Sequence, residues 1–179
     1  IKIEALLNLS KAKIQNIGNC DLKNNSKQIV FSDGDSNSPI MIVGEGPGQK
    51  EDELGKPFVG DAGQLLNKML GAINIKRESI YITNVVNYRP PNNRKPEPAE
   101  INRYSEFLRE HISIIDPKIL ILMGSTAMEA LFGSKIKITK SLVREHNNKY
   151  NERKRLYSYE PYDTSNIEPK VCLKSIKKT

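Results

Sequence analysis

Three short apolar runs, each closed by a turn and followed by a helical pattern, constrain the fold of this chain more than any other feature. The runs are residues 40–43, 80–86 and 119–123. Helices are predicted at residues 65–73, 101–115 and 127–132. Strands that alternate with helices are typical of βαβ units. The sequence therefore predicts an α/β fold, a three-layer sandwich with a mainly parallel central sheet and helices on both faces.

Local signals indicate where the predicted helices begin. Pro98 suits the first turn of a helix, since its missing N–H costs nothing there. Asp61 followed by Gln64 resembles a capping box, so Asp61 is expected to cap the helix over residues 65–73. A further short helix is predicted for residues 1–15.

The pattern of strands and helices fails beyond about Arg144. Residues 146–155 contain no aliphatic residue, so the sequence supports no buried C-terminal strand. Residues 1–133 hold 16 basic and 16 acidic side chains, whereas residues 134–179 hold 12 and 5, so the tail carries the whole net charge of +7. We therefore divide the chain into an α/β domain, residues 1–144, and a basic C-terminal segment, residues 145–179, which we expect to be disordered or altered.

Composition argues against several classes of protein. No apolar run approaches the roughly 18 residues of a membrane-spanning helix. The first residues lack a signal-peptide pattern, so we expect a cytoplasmic protein with no membrane partner. The two cysteines, Cys20 and Cys172, are too few for a disulfide framework or a four-thiolate metal site. The basic tail is weak evidence for a nucleic-acid partner, because charge runs are often simply solvated.

Glycines and polar residues stand where the predicted strands end. Residues 44–48 follow the first strand, Asn84 ends the second, and Gly124 and Ser125 follow the third. Because the carboxyl ends of parallel strands meet at one edge of a sheet, we expect these residues to line one crevice. The glycine loop matches neither of two nucleotide-binding patterns, G-x-G-x-x-G and G-x-x-x-x-G-K followed by Ser or Thr. Its Glu45 would also repel a phosphate. A protein that binds nucleotides or phosphosugars remains an alternative, with Lys50 as the nearby cation.

Five motifs in register strongly resemble the type 4 uracil-DNA glycosylases. They are Val43-Gly44-Glu45-Gly46-Pro47-Gly48, Glu51-Asp52, Gly55-Lys56-Pro57-Phe58-Val59-Gly60, Ala62-Gly63-Gln64-Leu65-Leu66, and Ile82-Thr83-Asn84-Val85-Val86 with Arg89-Pro90-Pro91. Their order and spacing match from about Cys20 to Gly133. The resemblance implies an enzyme of base-excision repair that hydrolyses the N-glycosidic bond of a uracil rotated out of the DNA stack.

The resemblance also implies roles for individual residues. Phe58 would stack on the uracil ring, and the Asn84 amide would read its Watson–Crick edge and separate uracil from cytosine. Gly44 and Gly46 would contribute to the pocket, with Gly46 close to C5 of the base. Glu45 would orient the attacking water and stabilise the cationic sugar. Without the resemblance, Phe58 would be interpreted as a core aromatic residue and Asn84 as a turn residue.

The chain departs from the family at the metal ligands. Type 4 enzymes usually hold a 4Fe-4S cluster on four cysteines, and the residues at those positions are Ile17, Cys20, Tyr88 and Tyr104. With one cysteine retained, we expect no cluster and no other cofactor, and we interpret Cys20 as an ordinary thiol. Tyr104 falls on the apolar stripe of its helix, so packing is expected to substitute for the cluster.

A second departure concerns catalysis. The last motif of the family is a His-Pro pair whose His donates a hydrogen bond to the leaving uracil, and this chain contains no His-Pro. His111 lies beside an apolar stripe and is expected on a helix surface, and His146 lies in a polar stretch, so neither is assigned the role. Because losing one such donor costs about 10²–10³ in rate, we expect weakened activity. The alternative is a non-catalytic protein that retains uracil or DNA binding.

The tail carries a further expectation. We expect residues 145–179 not to be the original C-terminal third of the fold, through divergence or through a shifted reading frame. A shifted frame is favoured, because gradual drift would blur motifs throughout the chain. The expected assembly is a monomer whose partner is uracil-containing DNA.

Overall fold

The computed structural model describes residues 2–133 with their side chains and the backbone of residues 143–146 and 155–159. The helices are α1 (Lys2–Gln15), α2 (Asp21–Asn25), α3 (Gln49–Leu54), α4 (Asp61–Ala72), α5 (Pro98–Ile115) and α6 (Ser125–Phe132). The strands are β1 (Asp33–Gly34), β2 (Ile40–Gly44), β3 (Tyr81–Asn84), β4 (Ile119–Met123), β5 (Val143–His146) and β6 (Arg155–Tyr159). Within this part of the chain, no helix has both the length and the apolar character needed to cross a bilayer.

One six-stranded sheet has the order β1-β3-β2-β4-β6-β5. Its four inner strands are parallel, and the edge strands β1 and β5 are antiparallel to their neighbours. Ile42 pairs with Ile82 of β3 on one side and with Ile121 of β4 on the other. The mainly parallel sheet predicted from the sequence is therefore confirmed.

Two cores lie on opposite faces of the sheet, because successive side chains of a strand point to opposite sides. On one face, Met41 and Val43 of β2 pack with helices α1, α5 and α6. On the other face, Ile42 packs with Leu66 and Met69 of α4. Helices on both faces confirm the three-layer arrangement.

The start of α4 differs from the sequence prediction. Gly60 is the N-cap, Asp61 is the first helical residue, and no side chain caps the helix. The Asp61 carboxylate instead lies 3.2 Å from the Lys50 ammonium, with its side chain fully in solvent. The predicted capping box is therefore wrong, because the Gly60 N–H is taken by the carboxylate of Glu51.

A C-terminal strand, which the sequence left in doubt, is present in the sheet. The backbone of β6 pairs in parallel with β4, from Ile119 opposite Arg155 to Met123 opposite Tyr159. β5 pairs antiparallel with β6, so the domain boundary expected at residue 144 falls inside a strand of the same sheet. Backbone hydrogen bonding to an open sheet edge can recruit a segment whose side chains show no strand pattern. The rest of the tail, including Cys172, lies outside the described residues.

The position of His111 also differs from the sequence prediction. Only 2% of His111 is exposed, so the expected helix-surface position is wrong. Its ring stacks on Phe31 with centroids 4.6 Å apart, and its Nε2 lies 2.6 Å from the hydroxyl oxygen of Tyr81. A buried polar group is tolerated when it is hydrogen-bonded. α5 therefore buries His111 beside Ile112 rather than presenting it to solvent.

This burial predicts a stability change in acid. Burial lowers the pKa of His111 from its ordinary value of 6.5 to about 4. The unfolded chain therefore takes up a proton first as pH falls, and the stability present above pH 6.5 is lost progressively down to pH 4. The expected loss is about 3 kcal/mol. Urea unfolding of the parent and of His111→Gln between pH 7.5 and 4 measures it, and parallel curves would contradict the prediction.

Candidate active site

The carboxyl ends of β2 and β3 lie side by side and form the floor of a pocket. Gly44 at the end of β2 is the pairing partner of Asn84 at the end of β3. The pocket has a volume of about 330 Å³, within the range of small-molecule sites. The lining residues include the five site residues expected from the sequence: Gly44, Glu45, Gly46, Phe58 and Asn84. Residues from two strand ends and two loops thus meet at one crevice.

Gly44 permits the close approach of the two groups that face it. A Cβ at this position would lie 2.5 Å from Oδ1 of Asn84 and 2.5 Å from the ring of Phe58. Any larger residue would therefore push the amide and the ring apart. Asn84 is 3% exposed, whereas Phe58 is half-buried and its ring borders the open pocket. The pocket thus presents an aromatic face and an amide side by side.

Glu45 lies at the exposed mouth of the pocket. The hydroxyl of Thr126, at the start of α6, donates a hydrogen bond to its Oε2. Oε1 of Glu45 receives no hydrogen bond from the described residues. Within residues 2–133, only Oε2 is therefore hydrogen-bonded, which leaves Oε1 for a water molecule or a substrate. No local sequence pattern reveals this role of Thr126, because its partner Glu45 is 81 positions away in the chain.

Glu51 is a second residue whose role the sequence did not reveal. Its buried carboxylate accepts hydrogen bonds from the N–H groups of Val59 and Gly60, at 2.8 and 2.7 Å, and of Gly48, at 3.1 Å. Glu51 thereby connects the glycine loop after β2 to the loop that carries Phe58. Glu51 stands three residues after Gly48, the N-cap of α3, and this capping-box spacing is the local sequence signal that could have identified it.

The same contacts argue against phosphate binding by the glycine loop. The Gly48 N–H, at the start of α3, is already used by the Glu51 carboxylate. Lys50, the cation that the nucleotide-binding alternative needs, pairs with Asp61 at 3.2 Å. Glu45 adds a negative charge at the pocket mouth, where a phosphate would be repelled. The nucleotide-binding alternative is therefore not supported.

The residues at the four cluster positions do not fit an iron–sulfur cluster. Cys20 is buried, and its sulfur lies 3.4 Å from the hydroxyl of Tyr104. Burial raises the pKa of both Tyr104 and Tyr88, so both phenols stay protonated. Ile17 packs against the core and offers no ligand atom. One thiol and two neutral phenols do not supply the thiolates that such a cluster needs.

Of the two histidines, only His111 has a described side chain, and it does not line the pocket. His111 is buried against Tyr81 and Phe31 and is not among the residues that line the pocket. His146 belongs to β5, and its side chain lies outside the described residues.

Comparisons with known proteins agree with this geometry. The model of the uracil DNA glycosylase superfamily matches residues 31–170. A type-4 uracil-DNA glycosylase of Thermotoga maritima is 41% identical over 138 residues, which cover 76% of this chain and 72% of the relative. The type-4 enzyme of Archaeoglobus fulgidus is 40% identical over 120 residues, 67% of this chain and 60% of the relative.

A more distant relative extends the comparison to a second type. A type-5 uracil-DNA glycosylase of Pyrobaculum aerophilum is 32% identical over 113 residues, and the match covers 50% of that protein. The chain thus spans between half and three quarters of the length of these relatives. On the family match and these identities, the chain belongs to the uracil-DNA glycosylase superfamily, among its type 4 members.

Proposed function

We propose that this chain is a DNA N-glycosylase that removes uracil by hydrolysing the N-glycosidic bond of a flipped-out nucleotide. The observation that carries the proposal is the convergence of Phe58, Asn84 and Glu45 on one pocket. An aromatic face suits stacking on a base, and an amide suits a pattern of donors and acceptors. Type-4 uracil-DNA glycosylases that are about 40% identical support the same reaction.

In the proposed mechanism, two residues recognise the base and a third assists cleavage of the N-glycosidic bond. Phe58 stacks on the uracil ring, and the Asn84 amide donates to one edge atom and accepts from another. Oε1 of Glu45 holds a water molecule, and the carboxylate balances the positive charge that develops on the sugar. The C1′–N1 bond breaks with its electron pair on uracil N1. The water oxygen bonds to C1′ and releases a proton towards Glu45.

Uracil release from single-stranded DNA tests the proposal. We expect the purified protein to release free uracil from an oligonucleotide with one uracil and to leave the matched thymine oligonucleotide intact. Release of neither base, together with tight binding of the uracil strand, would instead identify a non-catalytic binding protein. Equal binding of both strands without release would contradict the assigned pocket.

We further propose that activity is weak because the chain lacks the family's His-Pro pair. β6 runs beside β4, and its last residue, Tyr159, pairs with Met123, which lines the pocket. The sequence continues as Glu160-Pro161. Glu160 lies outside the described residues, so the proposal rests on its place in the sequence directly after β6. A histidine at residue 160 would recreate a His-Pro pair in the sequence, and an imidazole can donate a hydrogen bond that a carboxylate cannot.

Glu160→His tests this explanation. We expect the substitution to raise the rate of uracil release about ten-fold, less than a fully placed donor would supply. Glu152→His, elsewhere in the same segment, is the control for a general effect of an added histidine. Equal rates in the parent and in Glu160→His would contradict the explanation.

We propose that the chain works without an iron–sulfur cluster. The support is the donor set at the cluster positions, where Cys20 contacts Tyr104 instead of a metal ligand. After anaerobic purification we expect almost no iron and no broad visible absorbance, with a known iron–sulfur protein prepared in parallel as the control. A content of about four irons per chain would contradict the proposal.

The proposed partner is uracil-containing DNA, which is what the names of the relatives indicate. We also propose that the chain acts as a monomer, as expected from the sequence. A DNA substrate also fits the cytoplasmic location expected from the sequence.

A further inference from the structure

Phe58 has a backbone conformation that a bulky residue rarely adopts. Its φ is +52°, in the left-handed region, where residues other than glycine are strained. Such a conformation persists only when surrounding contacts determine it. The loop that connects α3 to α4 must therefore be held from outside, and the contacts that hold it also set the direction of the Phe58 ring.

Arg77 supplies these contacts on the carbonyl side of the loop. Its Nη2 donates to the carbonyl of Pro57 at 2.7 Å, and its Nη1 donates to the carbonyl of Phe58 at 3.0 Å. Nη1 also donates to Oδ1 of Asn67 in α4 at 3.1 Å. Nε and Nη2 donate to the carboxylate of Asp33 at 3.2 and 3.1 Å. All five N–H donors of the guanidinium are thus in use.

Two further features close the other sides of the loop. Glu51 accepts the N–H groups of Val59 and Gly60, which follow Phe58. Gly63 allows the backbone of α4 to lie against Phe58, since a Cβ there would come 1.9 Å from the Phe58 carbonyl oxygen. The peptide groups on both sides of Phe58 are therefore fixed by named partners.

We propose that Arg77 is a positioning residue for base recognition, acting through Phe58. The inference rests on the proposed function, in which the Phe58 ring stacks on uracil. Arg77 is absent from the residues that line the pocket, so its effect on a bound base would be indirect. Its guanidinium holds the two carbonyls that fix the left-handed turn, and Asp33 of β1 fixes the guanidinium. Lysine cannot replace it, because one ammonium has three donors and no planar fork.

Amide hydrogen exchange tests the contact itself and needs no substrate. In Arg77→Lys we expect the amides of Val59 and Gly60 to exchange at least about ten-fold faster, with the amide of Ile82 in β3 unchanged. Arg109→Lys is the matched control, since Arg109 is also part-buried and donates to the backbone carbonyl of Leu131 at 2.7 Å. Unchanged exchange at both amides would overturn the proposal.

A double-mutant cycle tests whether the effect passes through Phe58. The probe is a single-stranded oligonucleotide with one 2′-fluoro-deoxyuridine, whose glycosidic bond resists hydrolysis. We expect Phe58→Ala to weaken its binding about ten-fold and Arg77→Lys about five-fold. In the Phe58→Ala background, Arg77→Lys should change binding less than two-fold.

The outcomes separate this inference from the proposed function. A five-fold effect of Arg77→Lys that persists without the Phe58 ring would overturn the positioning role and leave the function intact. The positioning role would also be overturned, with the function intact, if Arg77→Lys left binding of the oligonucleotide unchanged while Phe58→Ala weakened it. If Phe58→Ala bound the oligonucleotide as tightly as the parent, the assigned pocket would be wrong, and so would the positioning role of Arg77.

Discussion

Glu45→Gln is expected to lower the rate of uracil release about 10²–10³-fold, the typical cost of removing one transition-state electrostatic contact. Glutamine keeps the length of the side chain and an oxygen that can accept from Thr126, so the pocket should keep its shape. It lacks the negative charge that balances the developing sugar cation and cannot take a proton from water. Binding of the uracil oligonucleotide should change little, because the charge matters mainly in the transition state.

Single-turnover release assays measure this effect, and Glu53→Gln is the matched control. Glu53 lies in the neighbouring helix α3, is exposed, and contacts Gln49 and Lys27 rather than the pocket. The control should release uracil at the parent rate. If Glu45→Gln also kept the parent rate, Glu45 would have no part in bond cleavage, and the pocket would need another source of negative charge.

The second large effect concerns the choice of base. Asn84→Asp is expected to reduce the preference for uracil over cytosine about 10³-fold, because discrimination built on paired hydrogen bonds is steep. The amide both donates and accepts, whereas a carboxylate only accepts. Uracil O4 would lose its donor, while the amino group of cytosine would gain an acceptor. Release of each base from matched single-stranded oligonucleotides measures the ratio.

Asn87→Asp is the control for the cost of a buried carboxylate. Asn87 has the same 3% exposure as Asn84, but its amide donates to the carbonyl of Val30 at 3.2 Å and does not line the pocket. Melting curves of both variants show whether each remains folded. A folded Asn84→Asp that still prefers uracil by the parent ratio would contradict the assigned role of this amide.

The elements that the sequence predicted correctly are those encoded by local patterns. β4 covers the apolar run at residues 119–123, and α5 begins at Pro98 as its missing N–H suggested. The sequence also predicted that Glu45 and Asn84 lie close together, because parallel strands place their carboxyl ends at one edge of the sheet. The proposed roles of Phe58 and Asn84 needed the family resemblance, since each alone fits an ordinary core or turn residue.

Local sequence patterns were enough to predict the α/β fold class, the inner strands β2, β3 and β4, and the crevice at their carboxyl ends. Contacts between residues distant in the chain became visible only in the folded structure. Thr126 and Glu45 are 81 positions apart, Arg77 and Asp33 are 44 apart, and His111 and Tyr81 are 30 apart. The physical reason is that periodicity and propensity act within a few residues. The partner of a buried polar group, or of a strand edge such as β4, is set by how the layers pack.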